Sequence, residues 1–188
     1  MKLYYSTPNN PYLINDDVKT SFYFVCSAGI NRSSTTREHL KSIVKTHHIF
    51  HPTFGADLTD YQAADWPPSN QGFKDYFGVE KQHNIQSLIY EQIRCKYPLT
   101  NLQKQQFDEL IDKYWTFDPN FKQVIIITVD DPCIFELFKK QFEDQDCDLV
   151  LIDAAETIYR PDLPNIKSLT KEAYAEFVNK ISKYFNIQ

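Results

Sequence analysis

The sequence predicts an α/β fold in three layers, with a mostly parallel sheet between helices. Three observations carry that expectation. Residues 124–129 (Val-Ile-Ile-Ile-Thr-Val) and 149–152 (Leu-Val-Leu-Ile) are apolar almost throughout, as strands covered on both faces are. Segments with apolar residues at helical spacing separate the strand-like runs, the alternation that parallel sheets require. The chain has 188 residues, of which 42% are hydrophobic and 24% charged, enough for one domain with a substantial core.

Residues 1–20 are polar and rich in Asn, Pro and Tyr, and read as an irregular arm. Residues 22–25 (Phe-Tyr-Phe-Val) read as the first buried strand, ending at Cys26. A turn of small residues follows, and residues 33–46 read as a helix with Leu40, Ile43 and Val44 on one side. Residues 49–54 read as a second strand closed by Gly55. Residues 57–82 contain Pro67, Pro68, Gly72 and Gly78 and read mostly as loop. Ile85, Leu88, Ile89 and Ile93 fall at helical spacing, as do Phe107, Leu110, Ile111 and Tyr114 behind a candidate cap, Thr100. The third strand is 124–129, a helix is expected over 134–142, and the fourth strand is 149–152, ending at Asp153. A closing helix over 170–185 would bury Ala173, Phe177, Ile181 and Phe185. Cys26, Asp130 and Asp153 all fall at predicted strand ends, the rim where open α/β sheets bind ligands.

The formal net charge of −5 gives no general attraction to nucleic acid or anionic lipid, so neither is an expected partner, and basic groups that bind an anion must be local. No apolar run reaches signal-peptide or transmembrane length, which points to a cytoplasmic protein. The four cysteines, Cys26, Cys95, Cys133 and Cys147, match no zinc spacing and are expected to be reduced thiols. His47-His48-x-x-His51 invites a metal reading. No carboxylate or cysteine completes a site there; strand alternation would put His47 and His51 on one face and His48 on the other, as exposed edge histidines. No metal or other cofactor is expected.

One segment carries chemistry: Cys26-Ser27-Ala28-Gly29-Ile30-Asn31-Arg32-Ser33. A chain that curls between a strand end and a helix start can aim successive backbone N–H groups inward, making an anion nest at the positive end of the helix. Small residues at 27–29 let the backbone approach the anion. Arg32 can close the ring with a two-pronged contact to phosphoryl oxygens, which lysine cannot copy. The same surroundings favour Cys26 as thiolate, the form that attacks phosphorus. The hydroxyl of Ser33 falls where it can support the sulfur as a leaving group.

These residues resemble the signature loop of the protein tyrosine phosphatase superfamily. The core Cys-Ser-Ala-Gly-Ile-x-Arg-Ser is similar to the receptor-type and dual-specificity enzymes. The position of the loop, directly after the first strand, instead resembles the low-molecular-weight tyrosine phosphatases, the phosphatases of the RNA polymerase II C-terminal domain, and small bacterial phosphatase-like proteins. Low-molecular-weight enzymes usually carry Asn where this chain has Gly29. The expected architecture is a four-stranded sheet in the order 2-1-3-4, in one domain spanning 1–188, with a helical insertion over about 65–120 between strands 2 and 3.

The resemblance implies a general acid after the fourth strand. Asp153 fits best; Glu156 and Asp162 are alternatives. Asp130 and Asp131 read as a helix cap or a brace for the cradle. Tyr159 is the candidate aromatic wall of the substrate site, with Trp66 and Tyr61 behind it. The function expected is hydrolysis of phosphomonoesters through a phosphocysteine, with a phosphoprotein or phosphopeptide as partner: phosphotyrosine by default, phosphoserine or phosphothreonine otherwise. Two alternatives share the scaffold. One is a phosphoprotein-binding module with little turnover. The other is an arsenate reductase, which needs relay cysteines such as Cys133 or Cys147.

Overall fold

The computed structural model describes residues 1–26, 32–55, 67–81, 85–86, 100–115, 117–128, 132–152 and 170–188. The chain is mixed α/β with a parallel sheet. Its elements are β1 (Lys2–Ser6), β2 (Tyr12–Ile14), β3 (Thr20–Cys26), α1 (Arg32–Ile43), β4 (Ile49–Phe50), β5 (Phe54–Gly55), α2 (Pro67–Phe77), β6 (Ile85–Gln86), α3 (Asn101–Tyr114), β7 (Lys122–Ile127), α4 (Pro132–Gln141), β8 (Asp148–Ile152), α5 (Lys171–Ile181), a 3-10 turn (Ser182–Tyr184) and β9 (Phe185–Ile187). The main sheet runs β1-β8-β7-β3-β5-β6, with β4 also on β3, and each of its pairings is parallel.

The sheet therefore has seven strands among the described residues, in place of the four expected in the order 2-1-3-4. Three differences account for this. The N-terminal arm supplies β1, which adds to the edge beside β8, and β2, which pairs with β9 in a separate two-stranded sheet. The expected strand over 49–54 is two short pieces, because Pro52 between them has no N–H for a ladder. Ile85, whose spacing predicts a helix, instead forms β6 with Gln86 beside β5.

All seven residues of β3 are buried, and alternate side chains go to opposite faces. Tyr23 and Val25 join Ile125, Ile127, Phe107, Trp115 and Phe138 in one core, so α3 and α4 lie on that face. Phe22 and Phe24 join Val124, Ile126, Leu40, Phe73 and Phe177 in the other, under α1, α2 and α5. Helix α2 occupies a stretch read as loop. Its two prolines stand in the first turn, where a missing N–H costs nothing and a fixed φ assists. Gly78 ends it at φ 74°, donating its N–H to the Lys74 carbonyl at 2.8 Å, a left-handed cap that residues with a Cβ rarely adopt. The final helix is shorter than expected: Thr170 caps it through Ala173 N–H at 3.3 Å, and Phe185 is buried in β9 rather than on the helix. Ile43, expected on the apolar side of α1, is exposed.

The histidine segment is a packing device. His48 is buried; its Nδ1 accepts from Thr20 N–H at 3.2 Å, so Nε2 carries the proton and donates to Asp16 Oδ1 at 2.8 Å. That fixes one neutral tautomer and ties the turn before β3 to the chain leaving α1. His51 stacks flat on Tyr23, with centroids 4.1 Å apart and planes 5° apart. His47 and His48 precede β4, so strand alternation does not govern them, and neither His48 nor His51 is an exposed edge residue. No group of three metal-ligating side chains occurs among the described residues.

Burial, and secondarily the Arg37 guanidinium, holds the His51 pKa down to about 4, and burial lowers that of His39 as well. An unfolded histidine titrates near 6.5. The unfolded chain therefore takes up protons between pH 6.5 and 4 that the folded chain refuses, and stability is lost as pH falls through that window. His51 should account for about 2 kcal/mol of the loss, after allowance for its partial exposure. Urea midpoints at pH 7 and pH 4.5 check this: His51→Gln should narrow the gap between the two, and an unchanged gap would exclude His51 as the source.

Candidate functional site

Strand β3 is central and apolar and ends at Cys26; α1 begins at Arg32. The strand register makes Val25, Ile127 and Leu151 level across β3, β7 and β8. Cys26, Thr128 and Ile152 therefore share the carboxyl rim, with β8 about 10 Å from β3 by strand spacing.

Within that rim the thiol of Cys26 is buried, 2% exposed, and its Sγ lies 3.1 Å from Ser33 Oγ, itself fully buried in the first turn of α1. The expected sulfur–hydroxyl pair is thus formed between strand end and helix start. Arg32 is only 7% exposed, and no carboxylate pairs with its guanidinium among the described residues. Arginine is seldom this buried without a counter-charge. The first turn of α1 also holds no acidic residue, so nothing of this helix competes for its positive end.

The body of α1 is unusually polar for a buried helix: Ser33, Ser34, Thr35, Thr36, Arg37 and His39 are all buried. Thr36 Oγ1 donates to the Arg32 carbonyl at 2.7 Å. Arg37 donates to the carbonyls of His51 and Phe50, both at 3.0 Å, fastening α1 to the break between β4 and β5. On the other side of β3, Thr128 is fully buried and donates twice to the Val25 carbonyl, from N at 2.8 Å and from Oγ1 at 3.1 Å. In the sequence Thr128 reads only as a member of the apolar strand over 124–129. The available signal was a hydroxyl where a buried strand would otherwise carry valine or isoleucine.

Ser27, Ala28, Gly29, Ile30 and Asn31 lie outside the described residues. So do the acid candidates Asp153, Glu156 and Asp162, the aromatic candidates Tyr61, Trp66 and Tyr159, and Asp130 and Asp131. Cys147 is placed, and its position argues against a relay to Cys26. It precedes β8 at the amino end of the parallel sheet, about five residues of strand, ~16 Å, from the level of Cys26. Burial also pushes its thiol up to about 11, which suppresses the thiolate that disulfide exchange needs. A cavity of about 570 Å³ opens at that same amino end, where Lys2, Lys19 and Lys122 stand beside Asp146 and Asp148. Its mixed charge and its distance from Cys26 separate it from the candidate site. No protein-family model, curated protein or solved structure matches the chain significantly.

Proposed function

We propose that the chain is a cysteine-dependent phosphatase that hydrolyses phosphomonoesters, with protein phosphotyrosine as the default substrate. The observation that carries this reading is the pairing of a buried Cys26 thiol with Ser33 at 3.1 Å, beside a buried Arg32 that no carboxylate among the described residues neutralises. A thiol and an uncompensated guanidinium, next to a helix N-terminus without acids, suit a bound oxyanion.

On this reading the Cys26 thiolate attacks phosphorus in line with the ester oxygen. The S–P bond forms, the P–O bond breaks, and the leaving oxygen takes a proton from Asp153. Water then attacks the phosphocysteine and gives its proton back to the Asp153 carboxylate, the S–P bond breaks to release phosphate, and Ser33 O–H donates to the departing thiolate. Backbone N–H groups over 27–31 and the Arg32 fork hold the equatorial oxygens throughout. Tyr159 and Trp66 flank the substrate. The strands β5, β3, β7 and β8, neighbours in the sheet, make the catalytic core in the order 2-1-3-4, with β1 and β6 as edge additions. The setting is the cytoplasm; no helix among the described residues is long and apolar enough to cross a membrane.

The direct test is steady hydrolysis of p-nitrophenyl phosphate, competitively inhibited by vanadate or tungstate. Oxyanion binding without turnover would favour a phosphoprotein-binding module instead. The acid is tested by leaving group. Asp153→Asn should slow alkyl phosphates, whose leaving oxygen needs a proton, by ~10²-fold or more, and aryl phosphates with acidic phenols much less. Equal losses for both classes would move the role to Glu156 or Asp162.

A further inference from the structure

The geometry points to Thr128 as a positioning residue that fixes the peptide from which Cys26 projects; its catalytic meaning rests on the phosphatase reading above. The Val25 carbonyl accepts two bonds from this one residue, N–H at 2.8 Å and Oγ1 at 3.1 Å. The first is an ordinary rung of the β3–β7 ladder. The second is extra, because the carbonyl is already satisfied and a fully buried hydroxyl must surrender its hydration to reach it. Valine has nearly the same shape, suits a buried strand better and carries no such cost, so the hydroxyl is there for what it bonds.

What it bonds is the leading edge of the site. The Val25 carbonyl and the Cys26 N–H belong to one planar trans peptide and point to opposite sides. Two donors of one residue on that carbonyl, in place of one, resist movement of the plane away from Thr128. The Cα–Cβ bond of Cys26 springs from the same plane. Ser33 holds the sulfur from the helix side at 3.1 Å, so Thr128 and Ser33 grip the residue at its two ends, one through the backbone and one through Sγ. A nucleophile that must meet phosphorus in line loses rate steeply when it is free to wander.

The test compares Thr128→Val, which removes the hydroxyl and keeps the shape, with Thr128→Ser, which keeps the hydroxyl and removes the methyl. Thr128→Ala serves as a second hydroxyl-free variant should valine disturb the strand end. In the full chain with p-nitrophenyl phosphate, Thr128→Val should lower kcat about tenfold with KM within about twofold, and Thr128→Ser should stay within about twofold of the unsubstituted protein in both. Alkylation of Cys26 by iodoacetate, read on its own peptide by mass spectrometry, should slow in Thr128→Val and not in Thr128→Ser. Unchanged kcat and alkylation in Thr128→Val would overturn the assignment. So would equal losses in the valine and serine variants, which would make the residue a packing element. Failure of the phosphatase reading looks different: the unsubstituted protein would show no turnover, whether or not tungstate protects Cys26, while the alkylation comparison would still report whether Thr128 positions the thiol.

Discussion

Cys26→Ser should abolish phosphomonoester turnover, with a loss on the order of 10⁴-fold, about 5.5 kcal/mol of transition-state stabilisation. Removing the sulfur removes the only group proposed to form the covalent intermediate; a serine hydroxyl in the same place is neutral near pH 7 and has no base assigned to it. The fold should survive, because the change replaces sulfur by a smaller oxygen and leaves Ser33 within reach of a hydroxyl partner. Oxyanion binding should survive as well, since the substitution leaves Arg32 and the other proposed anion-binding groups unchanged. The variant is therefore expected to bind tungstate, seen as a rise in Tm, while turning over nothing. Retained turnover would mean that another residue is the nucleophile. Absence of turnover in both proteins, with phosphopeptide binding in both, would make the site a recognition module.

The parts of this fold that were legible in the sequence are those where one physical signal dominates. The residues of β3, β7 and β8 form apolar runs that no solvated segment tolerates, and the core places them at the centre of the sheet. Strand β1 was hidden because it lies at the sheet edge. Leu3 and Tyr5 are exposed, while Tyr4 reaches back to Asn10 Oδ1 and the Pro11 carbonyl, both at 3.1 Å, so its composition resembles a polar arm. Helix α2 was hidden by Pro67 and Pro68, which break a helix interior but fit its first turn. Phe185 satisfied a helical period and a strand equally well, and pairing with Tyr12 decided between them.

The candidate site divides the same way. Cys26, Arg32 and Ser33 were legible because they lie within eight consecutive residues, so local spacing determines their geometry. Thr128 was not, because it meets Val25 across 103 residues of chain, a contact only the sheet register creates. Nor was the hold of Arg37 on β4 and β5, because its partners there are main-chain carbonyls that carry no residue-specific signal. The proton donor was narrowed only to Asp153, Glu156 and Asp162, three carboxylates spread over ten residues, a span in which the sequence provides no register.

Arg32→Lys is the second large effect expected, and it separates two roles that a single activity assay would merge. Lysine keeps the charge and loses the planar fork, so one phosphoryl oxygen at most can be engaged where two were. Turnover should fall by roughly 10²- to 10³-fold, about 3–4 kcal/mol. Stability without ligand should behave oppositely. Arg32 is buried, and no carboxylate among the described residues offsets the desolvation of its guanidinium in the free protein. Arg32→Met should therefore leave the Tm of the free protein unchanged or higher, and Arg32→Lys should lower it little. The difference should appear on adding an oxyanion. At a concentration of 100 Kd, tungstate stabilises the unsubstituted protein by about 2.7 kcal/mol, and both variants should lose most of that increment. A buried arginine that served the fold alone would give the reverse pattern: a lower Tm in the free protein and an anion response no different from that of the unsubstituted chain.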